Sequence, residues 1–209
     1  DILRIDHFRG FDAYYAIPAG DGTARNGRWR PGPGLALFQS LTAAYGGEMP
    51  IIAEDLGFLS DSVRTLVRET GYPGMKVLEL AFDSRDSGAS DYLPHRIGEH
   101  CVVYTGTHDN DTILGWAATA PAADVAFARD YLKLGDRQDW NWAMMDAAWE
   151  SPAELAVMQV QDLLGLGHEA RMNTPSTLGE NWLWRLLPGE LTEDLAQTVR
   201  ARMARFGRL

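Results

Sequence analysis

Five short apolar runs constrain the fold of this chain more than any other feature: ILRIDHF, PIIAED, KVLELAF, CVVYTGTHD and LAVMQVQDLL. Near-continuous apolar runs of this length suit strands buried on both faces. Strands of that kind belong to parallel sheets whose connections are helices. Helix-patterned segments lie between the runs. GLALFQSLTAAYG follows a Gly-Pro-Gly opening, and LSDSVRTLVRETG offers Ser60 or Asp61 as N-cap and Gly71 as C-cap. Three more helices are expected near Asp111–Ala118, Ala122–Lys133 and Gln138–Glu150. A last amphipathic helix near Thr192–Gly207 carries acids in its first turn and arginines in its last, as the helix dipole favours. The expected class is α/β with a parallel sheet. The polar, Gly-rich insert PAGDGTARNGRWRPGPG is expected to be a functional loop.

Composition narrows the possible partners. With 209 residues, 45% of them hydrophobic, the chain can bury the core of a single domain, expected to span residues 1–209. A formal charge of -10 and a pI near 4.9 argue against nucleic acid or an anionic membrane as partner and favour small or neutral ligands. The single cysteine, Cys101, excludes an internal disulfide and suits a reducing cytoplasm, where it is most simply a buried small hydrophobe. No run approaches eighteen apolar residues and no basic-then-apolar leader precedes Asp1, so neither a membrane span nor a signal peptide is expected.

The first run holds an anomaly. Arg4, Asp6, His7 and Arg9 interrupt an otherwise apolar strand, although a bare buried charge costs several kcal/mol. Side chains alternate along a strand, so Arg4 and Asp6 share one face and the basic group can hold the acid ionised and oriented. A structural ion pair would satisfy this stretch alone. Three of the runs, however, end in a carboxylate where the chain leaves the sheet: Asp6, Glu54 and Asp109, the last beside His108. Active sites of βα folds form at those strand ends. Two carboxylates across a cleft are the minimum equipment for glycoside chemistry, one as nucleophile and one as an acid that becomes a base.

At these residues RIDHFRGF, NGRWRPGPG, IIAEDLG, VYTGTHDNDT and LLGLGHEARMN followed by NWLWR closely resemble the amylomaltases, the 4-α-glucanotransferases related to the α-amylase superfamily. The resemblance implies a (β/α)8 TIM barrel, no cofactor and no metal, and α-1,4-glucans and maltooligosaccharides as substrates, handled with retention. It implies that Asp6 is the nucleophile and Glu54 the acid/base. Asp109 would be the transition-state stabiliser, with Arg4 and His108 orienting the nucleophile and binding the sugar, and His7 facing the acceptor side. The likeness begins at the fourth barrel strand, so the chain is expected to be the C-terminal portion, about strands 4–8, lacking the N-terminal half of the barrel. Two alternatives to transfer stay open: a retaining α-glucan hydrolase, and a non-catalytic half-barrel fragment. Where the family commonly has N-x-P-G, this chain has N-T-P-S, Asn173 to Ser176.

Other motifs carry less. HDND lacks a second cluster with metal-ligand spacing, and the glycine-rich GDGTARNG and RPGPG lack the Lys-Ser/Thr of a phosphate loop. Trp142, Met145 and Trp149 fall at helical spacing and are expected in the core, whereas Trp29, Trp182 and Trp184 sit in polar contexts suited to stacking on sugar rings.

Overall fold

The computed structural model describes residues 1–57, 59–86 and 88–209, which form two compact units, Asp1–Met75 and Lys76–Leu209. In the first unit strand β1 (Leu3–Ile5) leads through a short 3-10 turn into an antiparallel hairpin of β2 (Ala13–Ala16) and β3 (Arg28–Pro31). Helix α1 (Gly34–Tyr45) then returns the chain to β4 (Ile51–Ala53), which pairs in parallel with β1 in the register Leu3↔Ile51, Arg4↔Ile52, Ile5↔Ala53. Helix α2 (Asp61–Thr70) starts at Ser60, whose hydroxyl accepts the Val63 N–H, and stops at Gly71 in the left-handed conformation, φ 69°. The hairpin replaces the expected loop. Gly32 allows its return, because a Cβ there would collide with the Phe11 backbone. The core of this unit is aromatic: Phe8 stacks on Phe38 at 5.0 Å, with the edge of Tyr72 against both.

Strand β5 (Gly74–Val77) crosses the boundary between the units and opens a three-stranded sheet of order β5-β6-β7. The sheet is completed by β6 (Cys101–Tyr104), which is followed by α3 (Ile113–Thr119), α4 (Ala122–Tyr131) and α5 (Trp140–Glu150), and by β7 (Leu155–Val157). β6 and β7 run parallel, Val102↔Leu155 to Tyr104↔Val157, so the three helices form one crossover. Two expected strands are shorter than their apolar runs. Leu78–Leu80 of KVLELAF is a 3-10 turn, and the end of LAVMQVQDLL is helix α6 (Val160–Leu164), N-capped at Gln159. Helix α7 (Glu193–Arg205) is capped by the Thr192 hydroxyl. Leu78, Phe82, Val103, Ile113, Met144, Met145 and Trp149 are buried in one core, which also takes Cys101. The parallel pairs with helical crossovers establish an α/β protein. Among the described residues, no helix is long and apolar enough to cross a membrane.

Candidate active site

In the first unit the register of β1 against β4 sets the site. Asp6 and Glu54 directly follow the paired residues Ile5 and Ala53, so two carboxylates leave adjacent parallel strands side by side. The junction is tied by backbone: Glu54 N–H donates to Ile5 O at 2.9 Å, and Phe8 N–H donates to Glu54 O at 3.0 Å. Arg4 reaches along its own strand face to Asp6, Nη1 to Oδ1 at 2.9 Å, and its Nε donates to Met75 Sδ at 3.2 Å. The Asp6 side chain nevertheless remains 77% exposed, so its ion pair does not seal it into a core. Glu54 is held from both sides, Oε2 by the His7 N–H at 2.7 Å and Oε1 by the Leu56 N–H at 2.8 Å.

His7 turns this corner at φ 48°, ψ 51°, a left-handed conformation uncommon for a residue with a side chain. That turn aims its N–H at Glu54 and drops the next residue, Phe8, into the aromatic core. Arg4, Asp6, His7 and Glu54 are thus brought together in this unit. On the hairpin, Trp29 is exposed, edge-on to Tyr15 at 5.4 Å and under the Arg9 guanidinium at 5.2 Å.

In the second unit His108 and Asp109 occupy the loop that follows β6. Their side chains approach at 3.4 Å, and His108 lies over exposed Trp182 with ring centroids 5.2 Å apart. Asn173 Nδ2 donates to Asp109 Oδ1 at 2.6 Å, while Arg171 Nη2 donates to the Asp109 carbonyl at 2.7 Å. These two partners of Asp109 lie in the RMN block and were given no role by the sequence. Their signal was the block itself, but the pairing spans more than sixty residues and no local spacing predicts it.

Beneath this loop lies a buried polar cluster. Asp162 accepts Thr105 Oγ1 and the Ile113 N–H, both at 2.8 Å. Asp111 accepts its neighbour's N–H at 2.8 Å and pairs with His168 Nδ1 at 2.6 Å. Glu79 faces both. Burial, followed by the neighbouring Asp162 and Asp111 charges, pushes the Glu79 carboxyl up to about 9. Burial likewise raises Asp162 to about 6, its hydrogen bonds notwithstanding. Among the described residues, no three His, Cys, Asp or Glu side chains are disposed to hold a metal ion.

Similarity to known proteins follows the same residues. The family model described as 4-alpha-glucanotransferase matches residues 1–192. A 4-alpha-glucanotransferase of Thermus thermophilus is 48% identical, covering 96% of this chain and 41% of that protein. One of Clostridium butyricum is 43% identical, covering 100% of this chain and 42% of that protein. The solved amylomaltase of Streptococcus agalactiae, in complex with acarbose, matches with a TM-score of 0.93 and 35% identity, over 100% of this chain and 42% of that one. The chain therefore spans 41% to 42% of the length of these relatives. With its strand-end carboxylates inside a match that runs from residue 1 to residue 192, the chain belongs to the 4-alpha-glucanotransferase family.

Proposed function

We propose that the full-length protein carrying this sequence is a 4-α-glucanotransferase, which moves α-1,4-glucan segments between maltooligosaccharides by retaining double displacement. In this reading Asp6 attacks the anomeric carbon as the C–O bond breaks, and Glu54 gives its proton to the departing glycosidic oxygen. Glu54 then takes a proton from the acceptor hydroxyl as that oxygen displaces Asp6. Arg4 holds the nucleophile, His108 and Asp109 grip hydroxyls of the sugar at the scissile bond, and His7 lies toward the acceptor. No cofactor enters the scheme. Residues 1–209 would supply about strands 4–8 of a (β/α)8 barrel, and the enzyme would act in the cytoplasm.

The observation that carries the reading is the placement of Asp6 and Glu54 at equivalent ends of adjacent parallel strands. Neighbouring strands lie about 4.7–4.9 Å apart, so side chains leaving their matched ends are within reach of the roughly 5–5.5 Å carboxyl separation of a retaining pair. Further support comes from the acarbose-bound amylomaltase relative and from the exposure of Asp6. Both Glu54 oxygens accept one backbone N–H each, which orients the carboxyl and leaves a second lone pair on each oxygen for the acid proton. The test is incubation of the full-length protein with maltotriose. Glucose together with a ladder of longer oligomers supports transfer; glucose as the sole end product contradicts it and favours hydrolysis.

A further inference from the structure

In the second unit, the three residues Arg171, Met172 and Asn173 follow the 168–170 turn and each of them reaches the loop after β6 or its neighbours. The Arg171 side chain, 21% exposed, divides its donors among three targets. Nε donates to Asn173 O at 2.9 Å, Nη2 donates to Asp109 O at 2.7 Å, and Nη1 faces Asp111 Oδ2 at 3.8 Å. The first bond folds the segment back on itself and sets the point from which the Asn173 side chain departs. The second ties the segment to the loop that carries Asp109. Asn173 Nδ2 then reaches Asp109 Oδ1 at 2.6 Å. Between them the Met172 carbonyl accepts the Trp182 N–H at 2.6 Å, and the Trp182 ring lies over His108. Arg171 is itself anchored, because its N–H donates to His168 O at 3.0 Å and the His168 ring holds Asp111.

Asp109 is thereby gripped through one oxygen. Its Oδ1 meets Asn173 Nδ2 and, at 3.4 Å, His108 Nε2. Among the described residues Oδ2 accepts no hydrogen bond, and the side chain is 50% exposed. A guanidinium suits the task of holding this arrangement. Its donors lie in one plane with fixed directions and serve several acceptors at once, whereas a lysine ammonium carries the same charge as a point. We propose that Arg171 is the positioning residue for Asp109: its guanidinium clamps the 171–173 segment to the loop after β6, so that Asn173 holds Oδ1 and Oδ2 is left for sugar hydroxyls. The role rests on the reading of Asp109 given above. Arg171 acts through Asn173 and the loop backbone, not on substrate. Its charge also faces Asp111, so a neutral replacement disturbs the buried acids as well. Lysine keeps the charge and separates the two effects.

The test uses the full-length protein with Arg171→Lys, Asn173→Ala and the double variant, each followed on maltotriose. Arg171→Lys is expected to lower kcat/KM about tenfold or more, the scale of one hydrogen bond made by a charged group. Because both residues act on the same carboxylate, adding Asn173→Ala to Arg171→Lys should cost less than about threefold further, although Asn173→Ala alone costs about tenfold or more. Hydrogen exchange without substrate is the second readout. In Arg171→Lys the amides of residues 107–111 should exchange about three- to tenfold faster, with those of β6 unchanged. Fully additive losses, a kcat/KM for Arg171→Lys within about threefold of wild type, or unaltered exchange in 107–111 overturns the proposal. Arg171→Gln, read in the same way, keeps the experiment decisive should the lysine variant not fold; failure of both to fold assigns Arg171 to general stability and overturns the positioning role. A wild type that leaves maltotriose unchanged sinks the functional reading and this role with it, whereas unaltered exchange in an enzyme that does transfer removes this role alone.

Discussion

At the scale of single residues, the proposed chemistry depends on how Glu54 and its neighbours are held. The His7 and Leu56 N–H groups fix the Glu54 carboxyl, and the left-handed turn at His7 is the local strain that puts one of them there. Replacing Glu54 by Gln removes the proton and leaves one acceptor oxygen for two N–H donors, so transfer from maltotriose should fall by roughly 10²–10⁴-fold and the melting temperature should drop as well. Steady-state rates beside a melting curve check both halves of the prediction. Ser176 is a residue of another kind. Where the family pattern has glycine, this chain places serine at φ 63°, a conformation that costs a side-chain-bearing residue about 1–2 kcal/mol. Part of that gain is offset by the added freedom of glycine in the unfolded chain. Ser176→Gly should therefore stabilise by about 0.5–1 kcal/mol, read as a higher denaturation midpoint.

At the scale of elements, the loop after β6, which carries the proposed sugar-binding His108 and Asp109, is supported from beneath. Asn173 is its outer brace, and Asn173→Ala removes a hydrogen bond to an ionisable group worth about 1.5–3 kcal/mol, so kcat/KM should drop by roughly ten- to hundredfold. The cluster below the loop leaves a pH signature. Glu79 and Asp162 both have native pKa values above their unfolded ones, so the native state binds their protons more tightly. Their contribution to stability is full below the unfolded values of 4.5 and 3.8. It is lost as pH rises, for Asp162 by about 6 and for Glu79 by about 9. Glu79→Gln should thus gain stability relative to wild type across that interval, which denaturant titrations at acid, neutral and alkaline pH would measure.

The elements also show what was legible in the sequence. Helix α2 announced itself through Ser60 and Gly71 because capping is local, and β1, β4 and β6 did so through apolar runs ending at acids. The β2–β3 hairpin did not, since its strands are short, mostly exposed and separated by eleven polar or irregular residues. The run 76–82 misled because apolar residues suit a strand and a buried 3-10 turn alike; Glu79 within it was the sign of a change in geometry. The partners of Asp109 were invisible for a different reason: Arg171 and Asn173 arrive from over sixty residues away.

At the scale of the whole molecule, the two compact units each carry part of the proposed machinery, Asp6 and Glu54 in the first and His108 and Asp109 in the second. The account stands or falls on whether Asp6 forms a bond to sugar. The most direct measurement is mass spectrometry of the full-length Glu54→Gln variant after reaction with an activated fluorinated glucosyl donor, which forms the covalent intermediate without needing an acid and slows its breakdown. The account predicts one glucosyl adduct, mapped to the peptide containing Asp6 and absent from Asp6→Asn. An adduct on another carboxylate, or undiminished labelling of the Asp6→Asn variant, would contradict it.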